Sequence, residues 1–394
     1  MNPQHRAGVP LEIGLVFYPS FGGSGIIASD LASGLAHRGH QVHVIASALP
    51  SRPLANDEQL VFHQVEAADY PLFGEPPYVI AVGSRIVEIC RKQRLDLVHV
   101  HYAVPHAASA YLARQVLGEA APLFVTTLHG TDVTGIGSAD AYRTINRFTI
   151  AASDAVTVPS EFLSDQARRL LQLAADCTID VIPNFVDTDH FAPPEHRDRR
   201  RLDELFAGDA GGVEGPVLFH VSNLRAVKRP VDLAQVLARV RREMPARMVV
   251  VGDGPEGAVL ADCARNLGVE NSMRFVGSLP DFAALLRHAD AFVLPSASES
   301  FGVAALEALS SGVPVCAYRV GGLPEVVVEG AGRLVEPYDV EALAAAVVEV
   351  VSDPTRRAHM GEIGRAHAVA HFQRAPAIER YEALYRRLMD RKVR

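Results

Sequence analysis

The chain has 394 residues, 48% of them hydrophobic, more than one core usually organises, so two domains are expected. A formal net charge of −8, with no basic cluster interleaved with aromatics, argues against nucleic acid as the main partner. No apolar run approaches the ~20 residues of a membrane helix, residues 1–10 show no signal-peptide pattern, and four scattered cysteines lack metal-ligand spacing; the composition reads as a soluble cytoplasmic enzyme, compatible with a homo-oligomer.

In chain order, residues 11–17 predict an apolar strand, followed by Gly22-Gly23-Ser24-Gly25 and a helix over 26–38 that Gly39 stops. Strands are expected at 42–47, 97–101, 123–127 and 155–158 with helices between them, the pattern of a parallel sheet covered on both faces. The register changes around 182–185, and Pro193-Pro194 with the charged run 195–201 reads as a linker. A second series follows: strand 216–221, helix 231–242, strand 247–251, helix 256–266, strand 274–276, helix 282–288, strand 291–294 and helix 302–309. Amphipathic helices are expected at 355–368 and 377–391, packing back across the first domain. The fold class is α/β, two Rossmann-like domains facing across a cleft: 1–190, and 191–374, with 375–394 returning to the first. A ligand belongs at the carboxyl ends of such sheets.

Two glutamates stand out. Glu299 precedes the start of helix 302–309 and ends the strand before it, while Glu307 lies about two turns on. Free N–H groups at a helix start suit anionic or hydroxyl-rich ligands, and the flanking carboxylates can accept from sugar or ribose hydroxyls. Ser222-Asn223-Leu224-Arg225 and Lys228 follow a buried strand, so Arg225 and Lys228 can converge on a diphosphate as a fork plus a point charge. Lysine occurs only at Lys92, Lys228 and Lys392, which marks the one in this loop. Gly22 and Gly23 allow close backbone approach to a phosphate, though the strict G-x-G-x-x-G fingerprint is absent; a plain tight turn is the alternative. His129 and Asp132 close the strand 123–127 and face either a reacting sugar or, for Asp132, a capping role. His99, His101 and His106 lack a completing carboxylate or cysteine, so no metal is expected, and Asp187-Thr188-Asp189 reads as turn chemistry.

As an ordered set these segments, with Val251-Gly252-Asp253-Gly254-Pro255, resemble the retaining GT-B glycosyltransferases of the glycogen-synthase and sucrose-synthase-like group over nearly the whole chain. Within it, the stretches 18–28, 101–107 and 125–132 are similar to the N-acetyl-α-D-glucosaminyl L-malate synthases of bacillithiol biosynthesis, with Ser84-Arg85-Ile86 where that group usually has Ser-Lys-Ile. The resemblance implies UDP-N-acetylglucosamine as donor substrate, L-malate as acceptor, retention at the anomeric carbon, and neither cofactor nor metal. It implies that Gly22, Gly23, Asn223, Arg225, Lys228 and Gly254 serve the donor diphosphate side, Glu307 the ribose, and Glu299 the sugar with the amides of Phe301 and Gly302. His129 would orient the donor sugar; Ser24, Tyr102, Thr127, Arg147 and Arg85 are the acceptor candidates. The competing readings are a relative using an inositol phosphate or lipid-linked acceptor, a PLP-dependent phosphorylase, disfavoured because Lys228 sits in the diphosphate loop, and a nucleotide-sugar-binding protein without catalysis.

Overall fold

The computed structural model describes residues 9–20, 22–50, 52, 54, 57–67, 75–174, 177–206 and 215–393; most of the polar start and Phe21 lie outside them. The chain divides into two compact units, 1–184 with 374–394, and 185–373. The boundary expected after residue 190 therefore falls at Asn184/Phe185.

The first unit carries a parallel sheet of strands β1 (Glu12–Val16), β2 (Gln41–Ala46), β3 (Leu60–Gln64), β4 (Leu97–His101), β5 (Leu123–Thr127), β6 (Ala155–Val158) and β7 (Ile179–Val181), in the order β3-β2-β1-β4-β5-β6-β7. Ile13, Leu15, Val42, Val44, Leu97 and Val125 are sealed from solvent, as helices on both faces of a parallel sheet require. Strands β3 and β7, and the helix Tyr78–Lys92, are elements that the sequence reading did not delimit. The burial of β3 alternates between half-covered and exposed positions, so no continuous apolar run marks it. The terminal helix Arg374–Val393 belongs to this unit and packs on the helix Gly23–His37. Gly34 makes that approach close, since a Cβ there would overlap Ile378. Arg38 donates to Glu382 at 2.7 Å, and the Tyr385 hydroxyl hydrogen-bonds His99 Nδ1 at 2.7 Å in the core.

The second unit carries strands β8 (Val217–Val221), β9 (Arg247–Val251), β10 (Met273–Phe275), β11 (Ala291–Leu294), β12 (Val315–Tyr318) and β13 (Gly332–Val335), parallel and in the order β10-β9-β8-β11-β12-β13. The run read as a linker is instead docked within this unit. Arg197 and Arg199 reach the buried Asp290 at 3.2 and 3.4 Å, and Asp290 also accepts from the Val217 amide at 2.7 Å. A buried carboxylate needs such partners, and these arginines supply them. The helix Pro354–His371 likewise stays with the second unit; only the last helix returns to the first. Among the described residues, no helix is long and apolar enough to cross a membrane.

Candidate active site

Each unit places a polar assembly at the carboxyl ends of its strands, where a parallel sheet directs its loops. In the second unit the loop after β8 forms a short turn, Ala226–Lys228, and the loop after β11 leads to Glu299. The two loops are tied by the Ala297 amide donating to Val227 O at 2.8 Å. This brings Lys228 Nζ to 2.6 Å from Glu299 Oε1, an oxygen that also accepts from the Ser296 hydroxyl at 2.7 Å. Glu299 retains 9% exposure, so the pair is largely withdrawn from water and its geometry is held from three sides. Ser296 was not singled out from the sequence; its signal is a position three residues before Glu299 in the same loop.

Arg225 stands exposed beside this pair in sequence, and its neighbour Asn223 keeps Oδ1 buried with no hydrogen-bond partner among the described residues. A buried amide oxygen left unpaired costs about 1–3 kcal/mol, the kind of defect a ligand repairs. Gly252 (φ +120°) and Gly254 bring the loop after β9 against the loop after β8: a Cβ on either would overlap the backbone of Ser222 or Leu224. The helix Val303–Ser310 starts at Gly302, whose left-handed φ of +101° turns the chain from Glu299 into the helix. Phe301 anchors that turn, buried edge-to-face on Phe372 with ring centroids 5.6 Å apart. Glu307 is buried on this helix, 3% exposed, and so is no ordinary solvated helix glutamate.

In the first unit Gly22 caps the helix Gly23–His37, and Gly25 lets that helix meet the preceding loop, because a Cβ there would strike the Ser20 carbonyl. Ser24 Oγ then lies 2.8 Å from the Tyr102 hydroxyl. Tyr102 adopts φ +77°, its amide donates to Thr127 O at 2.8 Å, and its ring packs against His129 at 5.0 Å. Ser24, Tyr102 and His129 are thus gathered at one end of β4 and β5. Behind them the histidines form a ladder. His99 stacks on His101 at 4.5 Å, and His101 on His129 at 5.1 Å, with His101 Nδ1 2.8 Å from His129 Nε2. Burial pushes His99 and His129 down to about 3, His106 to about 4 and His101 well below its ordinary value, so these rings are neutral at neutral pH.

Thr127 faces inward, its hydroxyl 2.6 Å from His99 Nε2 and 2.5 Å from Thr157 Oγ1. Asp132 lies in the first turn of the short helix Thr131–Thr134 and braces the chain before it: it accepts from the amides of His129 and Gly130 at 3.0 Å each and of Ala103 at 2.9 Å. Three backbone donors fix the His129–Gly130 turn, which explains why a carboxylate stands there. Asp187 likewise accepts from the amides of Asp189 and His190 at 3.1 Å each, closing a turn. Arg85 lies on the helix Tyr78–Lys92, ion-paired with Glu88 at 2.6 Å. Arg147, expected at the acceptor, is instead exposed on the helix Asp140–Ala151 and lines a cavity of about 910 Å³ with Ala155, Thr178, Asp180, Arg387 and Arg391, at the amino ends of β6 and β7 and so opposite Tyr102 and His129. No hydrogen bond joins either arginine to Ser24, Tyr102 or His129 among the described residues.

Residues 21–190 match the family model described as Glycosyltransferase Family 4, and residues 207–367 the one described as Glycosyl transferases group 1. N-acetyl-alpha-D-glucosaminyl L-malate synthase of Bacillus anthracis is 38% identical over 376 residues, spanning 95% of this chain and 96% of that protein. Among solved structures, sucrose-phosphate synthase from Thermosynechococcus elongatus matches with TM-score 0.79 at 22% identity, covering 96% of this chain and 99% of that one. Anabaena Alr3699/HepE, in complex with UDP and glucose, matches with TM-score 0.77 at 19% identity over 95% and 99%. Two parallel α/β units, a loop-borne cation against a buried glutamate in one and a His-Gly-Thr-Asp turn in the other, stand in agreement with these matches: the chain belongs to the GT-B glycosyltransferases.

Proposed function

We propose that this protein is a retaining, metal-independent transferase that moves N-acetylglucosamine from UDP-N-acetylglucosamine to the hydroxyl of L-malate. The observation that carries the donor side is the Lys228–Glu299 pair, 2.6 Å apart and largely buried, with Arg225 in the same loop. A preorganised ammonium and guanidinium at a leaving diphosphate do electrostatically what a metal does elsewhere, and low local polarity strengthens them. Glu299 then has two tasks, holding Lys228 in place and offering its second oxygen to a sugar hydroxyl. The buried Glu307 carboxylate suits the ribose hydroxyls, and the start of the helix Val303–Ser310 suits the phosphates.

The malate assignment is supported by the relative that is 38% identical over nearly the whole chain. On the first unit, the hydrogen-bonded Ser24 and Tyr102 hydroxyls offer donors to an acceptor carboxylate, whereas Arg147 lines a cavity at the amino ends of β6 and β7 and Arg85 is paired with Glu88, so neither is assigned to this pocket. In this reading the bond from the anomeric carbon to the diphosphate oxygen breaks as the malate oxygen bonds the same face of that carbon. The malate hydroxyl proton passes to the departing phosphate oxygen, which balances the step without an enzymic nucleophile. The test is a product screen of UDP-sugars against small hydroxy acids, read by mass spectrometry. An N-acetylglucosaminyl malate product with UDP release is expected; a different sugar or acceptor, or no turnover despite UDP-sugar binding, rejects the assignment.

A further inference from the structure

His101 is fully buried at the end of β4, and its Nε2 has no hydrogen-bond partner among the described residues. Its Nδ1 lies 2.8 Å from His129 Nε2. Both rings are neutral, because burial holds His129 at about 3 and His101 well below its ordinary value, so each carries one N–H. The single hydrogen bond between them can be made in two ways. If the proton sits on His129 Nε2, His101 must accept at Nδ1 and carry its own proton on Nε2, a buried N–H with nothing to donate to. If the proton sits on His101 Nδ1, the unpartnered Nε2 is a bare lone pair, and His129 keeps its proton on Nδ1. An orphaned buried N–H is the rarer defect, and a buried donor left unmade costs about 1–3 kcal/mol. The second arrangement wins. His129 makes no other side-chain hydrogen bond among the described residues and retains 8% exposure, so its Nδ1 is the nitrogen left for a ligand.

We propose that His101 is a positioning residue: by donating from Nδ1 it holds His129 in the Nδ1–H tautomer, so that His129 meets its ligand as a hydrogen-bond donor. A neutral donor fits an oxygen of the donor sugar. It also cannot take a proton at that nitrogen, so the acceptor's hydroxyl proton leaves by another route, consistent with transfer to the departing phosphate. The tautomer stands on burial and hydrogen-bond geometry; its link to the sugar rests on the transferase reading above.

The test uses the full chain with ¹⁵N-labelled histidine and long-range ¹H–¹⁵N correlation, His129 being assigned by the signals lost in His129→Asn. A protonated Nδ1 and bare Nε2 on His129 are expected, and a protonated Nε2 overturns the proposal. In kinetics, His101→Asn keeps an amide donor where Nδ1 was, whereas His101→Leu removes it. His101→Leu should lower kcat about five- to tenfold, the worth of one neutral hydrogen bond, with the Michaelis constant for malate unchanged, and His101→Asn should recover most of the loss. Equal losses in the two variants would reduce His101 to packing and reject a positioning role. Should His101→Leu fail to fold, the native tautomer and His101→Asn still decide. Absence of the malate product from the native protein would reject the transferase reading while leaving the tautomer measurement intact.

Discussion

The two units share a parallel sheet with helices on both faces, yet they bury opposite kinds of polarity at the strand ends. The first unit withdraws mainly uncharged groups there: His99, His101, His106, His129, Thr127 and Thr157, linked to one another and to Tyr385, while the carboxylate of Asp132 is held by backbone amides and, among the described residues, no cation. The second withdraws an ion pair, Lys228 with Glu299, while His220 is locked onto Val293 O at 2.8 Å and Ser222 Oγ at 2.8 Å. Fixed neutral donors and acceptors match hydroxyl groups without demanding a counter-ion. A buried cation held by a carboxylate is suited to a group whose negative charge grows during reaction. In the proposed reading one architecture serves two recognition tasks, the first unit mainly with side chains on its strands and the second with side chains on the loops that follow them.

The largest expected effect tests the charged side. Lys228→Ala should lower kcat by about two orders of magnitude or more, since one preorganised charge at a leaving group is worth roughly 3 kcal/mol. Because removing Lys228 leaves Glu299 partly buried and unpaired, circular dichroism and thermal unfolding must accompany the kinetics; near-normal turnover in a folded variant takes Lys228 out of the diphosphate site. Next comes the acceptor. Tyr102→Phe should raise the Michaelis constant for malate about five- to tenfold, as loss of one hydrogen bond of roughly 1–1.5 kcal/mol requires, and leave the donor constant nearly unchanged. Arg147→Ala should leave malate kinetics unchanged, because Arg147 lines a cavity with Arg387 and Arg391 at the amino ends of β6 and β7; a raised malate constant would return it to the acceptor pocket.

A smaller effect separates the units by pH. A histidine free in the unfolded chain titrates near 6.5, while burial holds His99 and His129 at about 3 and His106 at about 4 in the fold. Between those values the unfolded chain binds more protons, so this stability is whole above about pH 6.5 and falls as the pH drops towards about 4. Asp132, pushed up by burial, works in the opposite direction but is a single group. The second unit has one such buried ring, His220, at about 4. Hydrogen exchange at about pH 5 should therefore loosen peptides of β4 and β5 before those of β8 and β11; simultaneous loosening would contradict the contrast. The smallest expected effect is none: EDTA should leave turnover intact, whereas loss with rescue by manganese would end the metal-independent reading.

Much of this was written locally in the chain. Alternating apolar runs and glycine stops marked β4, β5, β6, β9 and β11 at their observed ends, and the helix Val303–Ser310 within a residue. The signal was clear because these strands are buried on both faces and are dominated by apolar residues, with few polar interruptions. His129, Lys228 and Glu299 were visible as polar residues in the loops that follow such strands. Tertiary structure decided everything that joins distant positions. Lys228 meets Glu299 across 71 residues, and His99 meets Tyr385 across 286. The charged run 195–201 looked like a linker because charge usually marks solvent, yet the buried Asp290 recruits Arg197 and Arg199 into the second unit. Only the last helix returns to the first unit, where the Gly34 surface leaves room for Ile378. Periodicity depends on each residue's own neighbours along the chain, so sequence reveals it; strand order, ion pairing and tautomer depend on which strands lie side by side, which only the folded sheet determines.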